Sequence, residues 1–292
     1  MQMFFNSLKT VGLLGALTGL FVMIGGALGG TGGMVIALVL ALAMNLGTWW
    51  FSDKIALKMS GARPLDAASA PEMYTMTEQL AQRAGLPMPA LYVIDSDTPN
   101  AFATGRDPQH AAVAVTSGIV RILTREELAG VIAHELAHIK HRDTLISAVA
   151  ASVAGAIGML ADMVMWGMIL GGLGGQDEED SGPAGMVGGI LTMILAPLLA
   201  VIIQMSISRS REYLADAGGA QIAGNPLALA SALEKLEWAA GRMPLAARPA
   251  AAHLYIVNPL SAEGFANLFR THPVTAERIK RLRALAAAGT AR

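Results

Sequence analysis

The chain has 292 residues, of which 53% are hydrophobic, 15% are charged and none is cysteine. Soluble globular proteins carry ~25% charged residues. The deficit here is local: residues 52–143 and 208–292 hold 37 charges, while the other 115 residues hold six, at Lys9, Asp162, Asp177, Glu178, Glu179 and Asp180. Near-normal soluble sequence is therefore interleaved with segments that exclude charge, which rules out intrinsic disorder, a collagen-like repeat and a disulfide scaffold. The absence of cysteine rules out a thiol nucleophile and a zinc–thiolate site. A net charge of −1, with no basic stripe interleaved with aromatics, gives no sign of nucleic acid as a partner.

Residues 1–51 contain two apolar runs, 11–29 and 33–51, joined by a Gly-rich turn. Each has the roughly 20 residues that a spanning helix needs. Trp49 and Trp50 stand where an interfacial aromatic anchor belongs. A cleaved signal peptide is the alternative for the first run, and it leaves the second span's direction unchanged. The polar segment 52–143 follows. Residues 70–84 read as a helix closed by Gly85 and Pro87, Ala90–Ile94 as a strand, and Asn100–Gly105 and Ala111–Ser117 as extended pieces. Thr124 with Glu127 three residues on forms a capping box. The helix it opens is expected to continue into a third apolar run.

Residues 144–207 read as a hydrophobic helical hairpin, with runs 144–174 and 185–207 on either side of an acidic loop, 174–184. Asp162 is costly in hydrocarbon. Either it makes a polar contact inside a bundle, or the membrane portion ends near it. Residues 208–292 return to polar sequence, with the fourth run's helix expected to continue through Ser208–Ala223, further helices after Asn225–Pro226 and after His272–Pro273, and a short strand at His253–Val257. Every Lys and Arg except Lys9 lies in 52–143 or 208–292, so both termini and both polar segments are expected on the cytoplasmic side. Neither polar segment alone is large enough for a full enzyme domain. Together they are expected to form one, bridged by the hairpin.

Chemistry concentrates at His134-Glu135-Leu136-Ala137-His138. Helical spacing sets the two imidazoles one turn apart on one face. That suits two nitrogens on one tetrahedral Zn²⁺, with Glu135 beside them as general base for an attacking water. A catalytic zinc wants a third protein ligand and an open position. His141 shares the helix and does not readily close the tetrahedron. Glu212 is the best candidate, with Asp216 one turn on to orient a ligand histidine. Spacing alone leaves open whether these carboxylates only balance Arg209 and Arg211. A structural zinc site would favour a membrane scaffold instead, but such sites usually have four protein ligands. A transporter would need polar pathway residues that the apolar runs lack.

His-Glu-Leu-Ala-His followed by Arg142-Asp143, then Ser-Arg-Ser-Arg-Glu-Tyr-Leu-Ala-Asp at 208–216, resembles the HtpX family of bacterial membrane zinc metalloproteases, relatives of the CAAX prenyl-protein proteases. Asn100–Gly105, Val257–Pro259 and Thr271–Pro273 with Arg278-Ile279 extend the likeness across nearly the whole chain. The resemblance implies a mainly helical α+β, gluzincin-like protease domain on a polytopic membrane protein. It implies Glu212 as third zinc ligand, and quality control of misfolded membrane proteins at the cytoplasmic face of the bacterial inner membrane. By the same likeness His272 becomes the candidate donor to the transition state, unless it only caps the helix before Pro273. Arg278 either joins it or merely pairs with a carboxylate. Asn100 becomes a candidate for bonding substrate backbone. Ala111–Thr116, including Ala111, Val113 and Val115, is expected to be an edge strand that accepts an extended peptide. His110 and His253 receive no role.

Overall fold

The computed structural model describes residues 2–145, 209–240 and 274–290. Runs 144–174 and 185–207 (apart from residues 144 and 145), the acidic loop, the strand expected at His253–Val257 and His272 lie outside them.

The chain opens with α1 (Gln2–Met59), which is interrupted at Gly29 and Gly30. Gly30 has φ +59° and ψ −145°, a region that a side chain does not tolerate. Gly25 and Gly33 approach so closely that a Cβ on Gly25 would sit 2.5 Å from the Gly33 oxygen. The Asn45 amide donates to the Leu14 carbonyl at 3.1 Å and to the Thr18 hydroxyl at 2.8 Å. The two apolar runs thus fold back on each other, small residues and one amide joining them as membrane helices are joined. Among the described residues one helix, Gly29–Phe51, is long and apolar enough to cross a membrane, and Leu14–Met23 is a shorter apolar helix. Its outward side chains include Val35, Ile36, Val39 and Leu42.

Beyond a second irregularity at Phe51 (φ −109°, ψ 16°) the chain enters the polar domain. β1 (Arg63–Leu65), α2 (Pro71–Ala84), β2 (Ala90–Ile94), β3 (Ala101–Gly105), β4 (Ala111–Thr116), α3 (Ser117–Ile122) and α4 (Arg125–His141) follow in order. α2 stops at Gly85, left-handed at φ 71°, as its sequence predicts. The sheet order is β1-β2-β4-β3. β4 pairs parallel with β2 and antiparallel with β3. This corrects the expectation of an edge strand at Ala111–Thr116, because both of its edges already carry a strand. Both faces are covered too. Ala101, Ala103, Val113 and Val115 pack into the main core with Val131 and Ile132 of α4. Phe102, Ala112 and Ala114 pack against Leu57 of α1. β4 is buried along its whole length, which accounts for its unbroken apolar sequence.

The remaining described helices are α5 (Arg209–Ala223), α6 (Pro226–Ala240) and α7 (Thr275–Thr290). α4 is the central helix, touching the sheet, α2, α5 and α6. It begins at the Thr124–Glu127 capping box. It ends at Arg142, left-handed at φ 57°, rather than running straight into the third apolar run. Leu136 and Leu233 are fully buried in the α4–α6 core. Two glycines set how near α5 approaches α4. A Cβ on Gly219 would lie 2.8 Å from the His134 backbone, and one on Gly218 would lie 3.1 Å from the Ala137 side chain. Gly219→Ala is therefore expected to force the helices apart and cost ~1–3 kcal/mol, read as a lower unfolding temperature together with reduced bound metal.

Candidate metal centre

His134 and His138 leave adjacent turns of α4, and Glu212 comes from the first turn of α5. Their ligand atoms converge, all within 4.8 Å of one another. The two Nε2 atoms are 3.2 Å apart, and Glu212 carboxylate oxygens lie 3.7 Å from His134 Nε2 and 3.6 Å from His138 Nε2. Zinc bonds of 2.0–2.1 Å in tetrahedral directions give donor separations of about 3.4 Å, so these side chains fit such an ion. Glu135, Asp143, Glu212 and Asp216 are buried carboxylates around the site, and Arg211 and Arg278 are buried guanidinium groups beside them.

Each ligand histidine has a carboxylate behind it. His134 Nδ1 faces Asp216 Oδ1 at 3.1 Å, and His138 Nδ1 faces Asp143 Oδ2 at 3.1 Å. A carboxylate in hydrogen-bond contact with Nδ1, as Asp143 is with His138, favours the tautomer whose Nε2 lone pair is free for a metal. Asp216, expected as the orienting carboxylate, lies beside His134. Asp143 was not foreseen. Its only sequence signal is its position directly after the Arg-capped end of the motif helix, where the left-handed residue lets the chain turn back on His138.

Arg278 of α7 is 1% exposed and grips Asp216 with two bonds, Nε to Oδ2 at 2.8 Å and Nη2 to Oδ1 at 2.7 Å. Its Nη1 is 3.6 Å from Glu212 Oε2. Of the two roles the sequence leaves open, carboxylate pairing is the one seen. Although burial opposes ionisation, this guanidinium holds the Asp216 carboxyl down at about 2. Burial alone would lower the pKa of His134, but Asp216 and Glu212 raise it to about 9 without metal. Arg211 is buried beside the Asp143 and Glu212 charges, and burial lowers its pKa.

Glu135, next to His134 on α4, reaches the sheet. Its Oε2 accepts a 2.8 Å hydrogen bond from the Ala103 N–H, at the middle of β3. Burial pushes its carboxyl above the ordinary range, which makes it a better proton acceptor than a solvated glutamate. The β3 strand has no second strand neighbour among the described residues. Its end is held by the Thr144 hydroxyl, which donates to the Gly105 carbonyl at 2.9 Å. Asn100 is buried just before β3. Its N–H donates to Thr116 Oγ1 at 2.9 Å, and its carbonyl accepts from the Thr116 N–H at 2.9 Å. Ala111, Val113 and Val115 lie in the sheet interior, away from the free edge. His141 is not among the converging ligands.

Comparison with known proteins follows the same line. The family described as Peptidase family M48 matches residues 67–286. A protein named Protease HtpX homolog from Syntrophobacter fumaroxidans is 55% identical over 278 residues, covering 95% of this chain and 98% of its own. One of the same name from Methylibium petroleiphilum is 55% identical over 284 residues, covering 96% and 98%. The crystal structure of S. mikatae Ste24p superposes with a TM-score of 0.52 at 21% identity, covering 96% of this chain and 66% of that one. That likeness is one of fold.

Two outcomes are expected. Asp143→Asn should weaken zinc binding about 10–100-fold, measured by competition with a chelator of known affinity. With its pKa at about 9, metal-free His134 holds a proton at pH 7 that a metal ligand cannot keep. Zinc uptake at pH 7 should therefore release protons, seen as a dependence of the calorimetric heat on the buffer's ionisation enthalpy.

Proposed function

This chain belongs to peptidase family M48 and is a metallopeptidase of the HtpX kind; on that premise we propose that it is a membrane-bound, zinc-dependent endopeptidase that degrades misfolded or damaged membrane proteins at the cytoplasmic face. The observation that carries the reading is the convergence of His134, His138 and Glu212 beside a buried Glu135 anchored on an open-edged strand. Three ligands leave a tetrahedral ion one open position, the mark of a catalytic site rather than a structural one.

Zinc held by His134, His138 and Glu212 would supply Lewis acidity for the attacking water and the scissile carbonyl. Glu135 takes the water's proton and passes it to the departing amine. Asp216 and Asp143 keep the two imidazoles in the tautomer that binds metal, and Arg278 locks Asp216. His272, carried over from the family likeness, donates to the developing oxyanion. The peptide is accepted along β3 rather than β4. There the side chains of Ala101 and Ala103 are small, and backbone bonding gives affinity with little side-chain selectivity. Glu135 at the middle of that strand sets the bond to be cut opposite the metal. The role of Asn100 is to hold the start of β3 through its backbone bonds to Thr116.

The membrane arrangement extends this reading. Residues 1–51 form two spans. Residues 52–143 and 208–292 build one cytoplasmic protease domain, interrupted by the hydrophobic segment 144–207, nearly all of which lies outside the described residues. The confinement of Lys and Arg to the two polar segments supports that orientation, and the apolar outward face of Gly29–Phe51 supports lipid contact. Polypeptides and lipid are the partners.

Detergent-purified protein should cleave an unfolded membrane protein. Glu135→Gln should lower kcat by about 10²–10⁴ with zinc retained, whereas Glu212→Ala should lose zinc and activity together. Undiminished cleavage by Glu135→Gln, or by chelator-treated protein, would overturn the mechanism.

A further inference from the structure

The polar domain is tied to the end of the second apolar run through Arg106. The helix geometry of α1 breaks at Phe51, and near a helix break backbone carbonyls lose their internal donors. The Trp50 carbonyl is taken by Arg106, whose Nη1 donates to it at 3.2 Å. The same guanidinium lies over the Trp50 ring, 4.6 Å from its centroid. The Arg106 side chain is only 13% exposed, although Trp50 beneath it is about half exposed.

Arg106 directly follows β3, and the chain there has little slack. Gly105 has φ +137°, and a Cβ on it would lie 2.3 Å from the His110 carbonyl oxygen. Asp107 closes the turn by accepting from the His110 N–H at 2.8 Å, and Thr144 holds the Gly105 carbonyl. Arg106 is only three positions beyond Ala103, whose N–H binds Glu135. At ~3.3 Å per residue, the general base is held within about 10 Å of Arg106 along the strand. The face of the sheet toward α1 is packed against Leu57, just past the break, so the strand does not swing away independently.

Resting on the reading of this chain as a membrane protease that accepts peptide along β3, we propose that Arg106 is a positioning residue that sets the height of β3 above the bilayer surface. It thereby fixes how far from its membrane anchor a single-span substrate is cut. Trp50 marks the interface level, because an indole prefers the headgroup zone. The guanidinium joins that level to the strand through one hydrogen bond and one cation–π contact. A substrate tail is then cut within a few residues of its span, and a distribution of distances replaces one narrow distance when the link is removed.

The test uses the full-length protein in phospholipid vesicles. The probe is a single-span substrate with an unfolded tail of uniform repeat sequence, so that bond chemistry is the same at every position. Cut sites are read by mass spectrometry. Wild-type protein should give one narrow cluster of cuts. In Arg106→Ala the share of the principal cut should fall about two- to fivefold and the cuts should spread, while zinc content and hydrolysis of a soluble unfolded polypeptide stay the same. Arg106→Lys, which keeps a cation and a donor, should restore much of the cluster. Trp50→Ala should reproduce Arg106→Ala, and the double variant should add nothing further; Trp50→Ala carries the test if Arg106→Ala does not fold. An unchanged cut pattern in both single variants overturns the proposal. So does an equal loss on soluble and tethered substrates, which marks a purely structural role. Wild-type protein that leaves both substrates intact defeats the protease reading itself, a result distinct from either of these.

Discussion

The contact on which the site depends is a backbone-to-backbone one: α5 rests on α4 where Gly219 meets His134. Two of the candidate metal ligands belong to α4 and the third to α5, and the stretch between them contains the 144–207 hydrophobic segment. No local geometry relates Glu212 to the histidines. Their common distance of 3.6–3.7 Å from Glu212 is set by how closely the two helices approach. Gly218 and Gly219 allow that approach, since any side chain at Gly219 would occupy the space of the opposing backbone.

Around this contact the protein gathers charge where charge is costly. Buried ions are tolerated only when paired and hydrogen-bonded. The structure meets the condition by alternating them: Arg278 on Asp216, Asp216 on His134, and on the other side Asp143 on His138 with Arg211 nearby. The two halves are similar in chemistry but differ in origin. One is supplied by α5 and α7, the other by the turn that ends α4. α7 is held down at other points too, by Arg281 over the Tyr213 ring and by Arg283 paired with Glu234. The helix that delivers Arg278 is thus anchored to both α5 and α6.

The sheet supplies the other half of the site. Because both faces of β4 are covered, it acts as the stiff middle of the domain, and β3, at the end of the sheet opposite β1, keeps one edge without a strand neighbour among the described residues. Glu135 reaches across from α4 to the center of that edge. One helix therefore carries both histidines and, on a neighbouring stripe, the glutamate that bonds the strand. Glu135 follows His134 by one 100° step and precedes His138 by three residues, which keeps the three side chains close together. The strand in turn is tied to the apolar N-terminal pair through Arg106 and through the Leu57 cluster, so the site and the membrane-facing part share one frame.

The sequence by itself determined whatever depends on near neighbours. The spacing of His134 and His138 needs only helical periodicity. The capping box at Thr124, the stop at Gly85, the strands at 90–94, 101–105 and 111–116 and the turn between the apolar runs are equally local. The pair Glu212 and Asp216 was visible as one helical face, but whether they served a metal site or only balanced Arg209 and Arg211 stayed open on spacing alone. Tertiary structure decided the rest, because it depends on pairings between distant residues. Strand order placed β4 inside, against the expectation of an edge, since alternating small apolar residues look alike on an edge or in a doubly covered center. Asp143 reached His138 only because a non-glycine residue, Arg142, adopted a left-handed conformation that costs about 1 kcal/mol and that no local rule requires. The assignment of Arg278 to Asp216, across 62 positions of sequence, likewise rests on helix packing: a charge finds its partner by proximity in space, which one-dimensional spacing does not encode.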